Sequence, residues 1–121
     1  MENPVVSKSF VFAVRIVNLY KQLSTKNCEY VISKQILKAG TSIGANIAEA
    51  EHAQSRADYT SKMTIALKEA DETRYWIRLL EAASYITHEE AESLLSDCVE
   101  LIRILASTVK SLKNNGNGME K

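Results

Sequence analysis

The sequence has a single proline, Pro4, and beyond it no pyrrolidine ring interrupts the chain. Glycine is almost as scarce: only Gly40 and Gly44 precede the run Asn114-Asn115-Gly116-Asn117-Gly118. A chain with so few breakers is expected to be helical almost throughout. Cysteine is limited to Cys28 and Cys98, which lack metal-type spacing. In the helical architecture built below they fall at different heights, so no bridge is expected, and two free thiols suit a reducing cytosol. Met1-Glu2-Asn3-Pro4 lacks the charged-then-apolar pattern of a signal peptide, and no apolar run approaches membrane-spanning length. A cytoplasmic protein without a membrane segment is therefore expected. Net charge is missing too: fifteen basic and fifteen acidic residues cancel. That excludes the overall basic signature of a strong nucleic-acid binder.

What is present is an ordinary globular composition, 45% hydrophobic and 25% charged over 121 residues, enough for one domain with a full core. The charges are unevenly placed. Before Glu49 the net charge is +4, from Glu49 to Glu100 it is −7, and after that it is +3. Such a polarity can position a partner or simply solvate a mixed surface.

Apolar spacing then marks out four helices. The first, at about 5–23, carries Phe12, Ile16, Leu19 and Leu23 on one stripe and Phe10, Ala13, Val17 and Tyr20 on its neighbour. Val11 and Val14 widen this arc beyond what one neighbouring helix needs. Asn3, with Pro4 in the first turn, is a plausible N-cap. The second helix, at about 28–51, follows the turn Ser24–Asn27, with Asn27 as a possible cap. Ser55 and Asp58 resemble a capping arrangement that starts the third, at about 55–85. Its core stripe is Tyr59, Met63, Ala66, Ala70, Thr73, Ile77 and Leu80, flanked by Ile65, Trp76, Leu79 and Ala83. Thr87 and Glu90 form a capping box for the fourth, at about 88–113, whose stripe runs from Ala91 through Cys98 and Leu105 to Leu112. The glycine- and asparagine-rich run is expected to stop it, leaving 114–121 as a disordered tail. Four helices with short connections predict an all-α, antiparallel up-down-up-down four-helix bundle over residues 1–113.

The second helix is unusual. Ile32, Ile36, Ala39, Ile43, Ile47 and Ala50 make an apolar stripe, while Gly40, Gly44 and Ala48 make a stripe of small residues. Gln35, Ser42, Asn46 and Glu49 make a third, polar one. Each helical glycine costs about 1 kcal/mol relative to alanine, so the two need a reason.

This stretch, Lys34 to Glu49, resembles the signature of a family of small bacterial four-helix-bundle proteins encoded in intervening sequences of large-subunit ribosomal RNA genes, some labelled ribosomal-protein-like. Ile65 to Leu80 resembles that family's third helix, and the resemblance extends from Phe10 to about Leu112. The family often has glycine where this chain has Ala50. The resemblance implies a homo-oligomer, usually a ring of five bundles, without established catalysis. The chain is also similar to the accessory variability proteins of diversity-generating retroelements. Those form such rings and are thought to hold nucleic acid and a reverse transcriptase.

The expected sites follow from both readings. Gly40, Gly44 and Ala48 permit close helix approach, either inside the bundle or between subunits. Ser42, Asn46 and Glu49 form either a solvated face or a hydrogen-bonded stripe fixing register between subunits. Val14, Leu37, Ile65, Trp76, Leu79 and Ile104 exceed one core's needs, and exposed apolar stripes mark interfaces. Trp76 joins the candidate interface for that reason. Lys8, Lys110 and Lys113 lie near one end and form a possible RNA- or DNA-binding patch that several copies would multiply. No catalytic, cofactor-binding or metal-ligating residue is expected. Glu49-x-x-His52 supplies half of a metal-carboxylate bundle signature, without the second motif. Glu69-x-x-Glu72 is accounted for by the intrahelical pair Lys68–Glu72. The expectation is a non-enzymatic, homo-oligomeric scaffold, with pentamer first; a nucleic-acid-associated role is the alternative and a metal-carboxylate enzyme a distant one.

Overall fold

The computed structural model describes the backbone of residues 3–120 and the side chains of residues 3–115; Lys121, the last residue of the expected tail, lies outside them. The described residues form four helices, α1 Pro4–Thr25, α2 Ile32–Ala50, α3 Arg56–Ala82 and α4 His88–Glu120, packed as a bundle. Their apolar stripes meet in one core: Phe12, Ile16 and Leu23 from α1, Ile36 and Ile43 from α2, Met63 and Ile77 from α3, Leu101 and Leu105 from α4. Each such side chain stabilises the fold by about 1.5–3 kcal/mol on burial.

Direction follows from side chains that meet. Gly40 lies against Ile16 and Gly44 against Ser9, so α2 runs back along α1. The Cys98 thiol reaches the Ala70 carbonyl and the Arg56 guanidinium reaches that of Leu112, so α4 runs back along α3. Lys62 of α3 bridges to Glu49 near the end of α2. The arrangement is therefore antiparallel and up-down-up-down.

Three helix boundaries differ from those expected. α2 begins at Ile32 rather than near 28, because Cys28 takes a left-handed conformation (φ 51°) that no helix contains. Asn27 is not the cap. The carboxylate of Glu29, itself buried, accepts from the amides of Val31 (3.1 Å), Ile32 (3.0 Å) and Ser33 (2.7 Å). These are donors that the first turn leaves without intrahelical partners. α3 ends at Ala82 rather than 85. Ser84 is left-handed (φ 68°), the Ser84 amide bonds the Glu81 carbonyl and the Tyr85 amide bonds the Leu80 carbonyl, a Schellman closure without glycine. α4 passes through Gly116 and Gly118 to Glu120 instead of stopping at Lys113. The helical backbone continues through both glycines, so neither acts as its stop. The caps at Asn3, Ser55 and Thr87 are formed as expected, each accepting a first-turn amide.

Candidate assembly surface

Both glycines of α2 have a reason inside the chain. A Cβ on Gly40 would stand 2.7 and 2.8 Å from the two γ-carbons of Ile16, which is fully buried. A Cβ on Gly44 would stand 3.3 Å from the Ser9 carbonyl oxygen. Close approach of α1 and α2 is thus what the small residues provide. Ala48, next on that stripe, is exposed.

Around Gly44 the two helices flank a groove of about 330 Å³, lined by Val6, Phe10 and Ala13 of α1 and by Thr41, Gly44, Ala45 and Ala48 of α2. Phe10 rises from its edge 70% exposed, with Val14 one turn on at 46% and Val11 at 58%. The second apolar stripe expected on helix 1 is therefore only partly core: Ala13, Val17 and Tyr20 are half-buried, and Phe10 faces out.

The polar stripe of α2 points the other way, toward α3. Ser42 donates to the Lys38 carbonyl (2.6 Å) and Asn46 to that of Ser42 (2.8 Å), so each is half-buried and satisfied by its own helix. Glu49 receives Lys62 at 2.9 Å. Along the same side of α3 stand Ile65, 39% exposed, then Glu69, Glu72 and Trp76. The Trp76 indole donates to Glu72 (3.0 Å), and its ring, half-buried, meets Tyr75 edge-on. Partial burial, together with the charge of Glu72 one turn away, raises the Glu69 carboxyl above its ordinary value.

The α1–α4 seam is built differently. It is the loosest of the four, and polar rungs cross it: Lys8 to Glu100 (2.6 Å), Arg15 to Asp97 (2.7 Å) and Ser93, and Gln22 to Glu90 (3.4 Å). Clefts of about 240 and 420 Å³ lie on either side of the Arg15 rung. Nothing in the apolar periodicity reveals this ladder. Its signal in the sequence is the seven-residue spacing of Lys8, Arg15 and Gln22, which repeats every two turns on one helix face. Each exposed pair is worth about 0–1 kcal/mol, so the rungs orient more than they stabilise.

The ladder bears on the expected nucleic-acid patch. Lys8 is occupied by Glu100, leaving Lys110 and Lys113 exposed on α4. By contrast, the exposed Lys21 of α1 and Lys34 and Lys38 of α2 carry no salt bridge among the described residues. His52 of the half metal motif is exposed, and Glu49 is engaged by Lys62. Among the described residues no three His, Cys, Asp or Glu side chains converge as metal ligands, and no helix is long and apolar enough to cross a membrane. Cys28 and Cys98 are free; burial pushes the Cys98 thiol up to about 12.

The paired glycines, the polar α2 stripe and the four-helix order together carry the resemblance noted in the sequence, and a profile of 23S rRNA-intervening sequence proteins matches residues 1–107. The chain belongs to that family. The 23S rRNA-intervening sequence family chain is also similar, at 58% identity and a TM-score of 0.86, to a crystal structure from Bacteroides thetaiotaomicron. That structure, at 1.70 Å resolution, is of a protein of unknown function from the S23 ribosomal protein family. The similarity covers 88% of this chain and 98% of the other. No curated protein matches the chain.

Proposed function

We propose that this protein is a non-catalytic, cytoplasmic scaffold that works as a homo-oligomer, with a pentamer as the first expectation. The observation that carries the reading is the apolar surface of Phe10, Val11 and Val14 beside the α1–α2 groove, with Ile65 of α3 also exposed. Contiguous apolar surface of this kind marks an interface. The number five rests on the family resemblance alone. Light scattering on the purified protein tests the proposal: a mass several times the 13.5 kDa of one chain supports it, and 13.5 kDa at tens of micromolar refutes it.

A nucleic-acid-associated role, with RNA, DNA or a reverse transcriptase as partner, is the second reading. It is favoured by lysines on α1, α2 and α4 that carry no salt bridge among the described residues, which repetition in an oligomer would multiply. Gel retardation that fades steeply with salt supports it, and none at low salt removes it.

A further inference from the structure

Two faces of the bundle are incomplete in complementary ways. On the outer side of α1, Phe10 and Val14 are exposed, and two turns beyond Val14 stands Lys21. Contact of Gly40 with Ile16 sets the register of α2 on α1, and brings Lys34 level with Lys21 at that end. Neither lysine has an acidic partner among the described residues. On the α2–α3 side the order repeats with the opposite sign. Ile65 is exposed, and two turns beyond it stands Glu72, with Glu69 between them. Lys68 and Lys38 act on Glu69 through space and the Trp76 indole donates to Glu72, but neither carboxylate is in salt-bridge contact with a lysine or arginine among the described residues. In both helices the step from apolar residue to charge is seven residues, about 10.5 Å at 1.5 Å per residue.

From this we infer that the α1 face of one copy docks on the α2–α3 face of the next, Phe10 and Val14 meeting Ile65 and Trp76, and Lys21 meeting the Glu69–Glu72 pair. The inference rests on the homo-oligomeric reading and names the surfaces that reading leaves open. Because α1 and α3 run in the same direction within a chain, the equal spacing matches when neighbouring copies stand parallel. The interface is then heterologous, one patch against a different one. Repetition of such a contact generates a closed ring or an open filament, whereas a self-complementary patch stops at a dimer. Ser42 and Asn46, on the polar stripe that ends in the Glu49–Lys62 bridge to α3, border the receiving face.

Complementation of two blocked variants tests it. Val14→Asp spoils the arriving face and Ile65→Asp the receiving face; both positions are exposed, so circular dichroism should show the helical signal intact. Each variant alone should have the mass of one chain. Mixed in equal amounts they should form a two-chain species and nothing larger, since each supplies the face the other lacks. Lys21→Glu, which does not touch the core, should lower the oligomer's association constant at least tenfold at low salt. A wild-type oligomer with no two-chain species in the mixture overturns the inference alone. So does unaltered mass in both aspartate variants. A monomeric wild type overturns the oligomeric reading with it.

Discussion

Replacing Gly40 with alanine sets two effects of known sign against each other. In an exposed helix the change stabilises by about 1 kcal/mol, because glycine leaves more backbone freedom in the unfolded chain. Here the new Cβ would stand 2.7 Å and 2.8 Å from Ile16 Cγ1 and Cγ2, and 3.2 Å from its Cβ. These are not the mobile end of a long side chain: Ile16 branches at Cβ and is fully buried. Relief therefore needs α1 and α2 to separate, and overpacking of this kind costs about 1–3 kcal/mol. Larger shifts add lost packing around Phe12 and Ile43, so a net destabilisation of about 1–2 kcal/mol is expected for Gly40→Ala. Gly44→Ala meets the Ser9 carbonyl oxygen at 3.3 Å and should be nearly neutral, the propensity gain of about 1 kcal/mol offsetting a small shift. Urea denaturation at fixed protein concentration reads both, the concentration being held because assembly adds to apparent stability. Ile16→Ala supplies the decisive control. Alone it should cost about 2–5 kcal/mol, but combined with Gly40→Ala the two costs should fall short of additive by about 1 kcal/mol or more. Gly40→Ala as stable as the wild type, or full additivity with Ile16→Ala, would refute the close-approach explanation of the glycine.

Three further outcomes follow from particular contacts. Burial works to raise the Glu29 pKa, but the amides of Ile32, Ser33 and Val31 outweigh it and hold the group below its ordinary 4.5. A group depressed on folding contributes stability above its unfolded pKa and loses it as pH falls through the folded one. Glu29→Gln should therefore cost about 1 kcal/mol at pH 7 and flatten the acid side of the stability profile below pH 4.5. His88 is raised by its hydrogen bond to Glu81 (2.7 Å) and then by that residue's charge. Its NMR titration midpoint should lie above 6.5 and return toward it in Glu81→Gln; an unmoved midpoint in that variant would contradict the pairing. A thiol reagent at pH 8 should modify one sulfur per native chain rapidly, the exposed Cys28, and reach buried Cys98 only on unfolding; two fast thiols would be inconsistent with the packing of α4 on α3.

Most of the fold was legible because apolar spacing reports burial directly. Tyr59, Met63, Ala66, Ala70, Thr73, Ile77 and Leu80 fall on one stripe of the sequence, and all but half-buried Tyr59 are core. Caps with side chains at fixed offsets, Asn3, Ser55 and the Thr87–Glu90 box, were equally readable. The errors came where backbone geometry overrides composition. The sequence places the stop of α4 at its glycines, yet among the described residues Cys28 and Ser84 are the left-handed positions, while Gly116 and Gly118 remain helical. The Glu29 cap carries no sequence signature, because a carboxylate that reaches two to four residues ahead from a loop has no fixed offset. For the surface, Trp76 and Ile65 could be seen as surplus apolar residues, but which way the small stripe and the polar stripe face depends on where α1 and α3 lie. That is set by packing of the whole bundle, which places the glycines on α1 and Ser42 and Asn46 beside α3.

The polar ladder between α1 and α4 has a consequence for how the chain reaches its native state. Every closely packed helix pair, α1–α2, α2–α3 and α3–α4, joins neighbours along the chain, so little loop-closure entropy stands against forming it. Topologies dominated by such local contacts fold in microseconds to milliseconds. Among the side-chain hydrogen bonds of the described residues, the α1–α4 rungs span most of the sequence, Lys8 to Glu100 the furthest. They are expected to form after the hairpins have condensed, because each closes a loop of most of the chain. Neutralising Arg15 should then speed unfolding while leaving the folding rate almost unchanged.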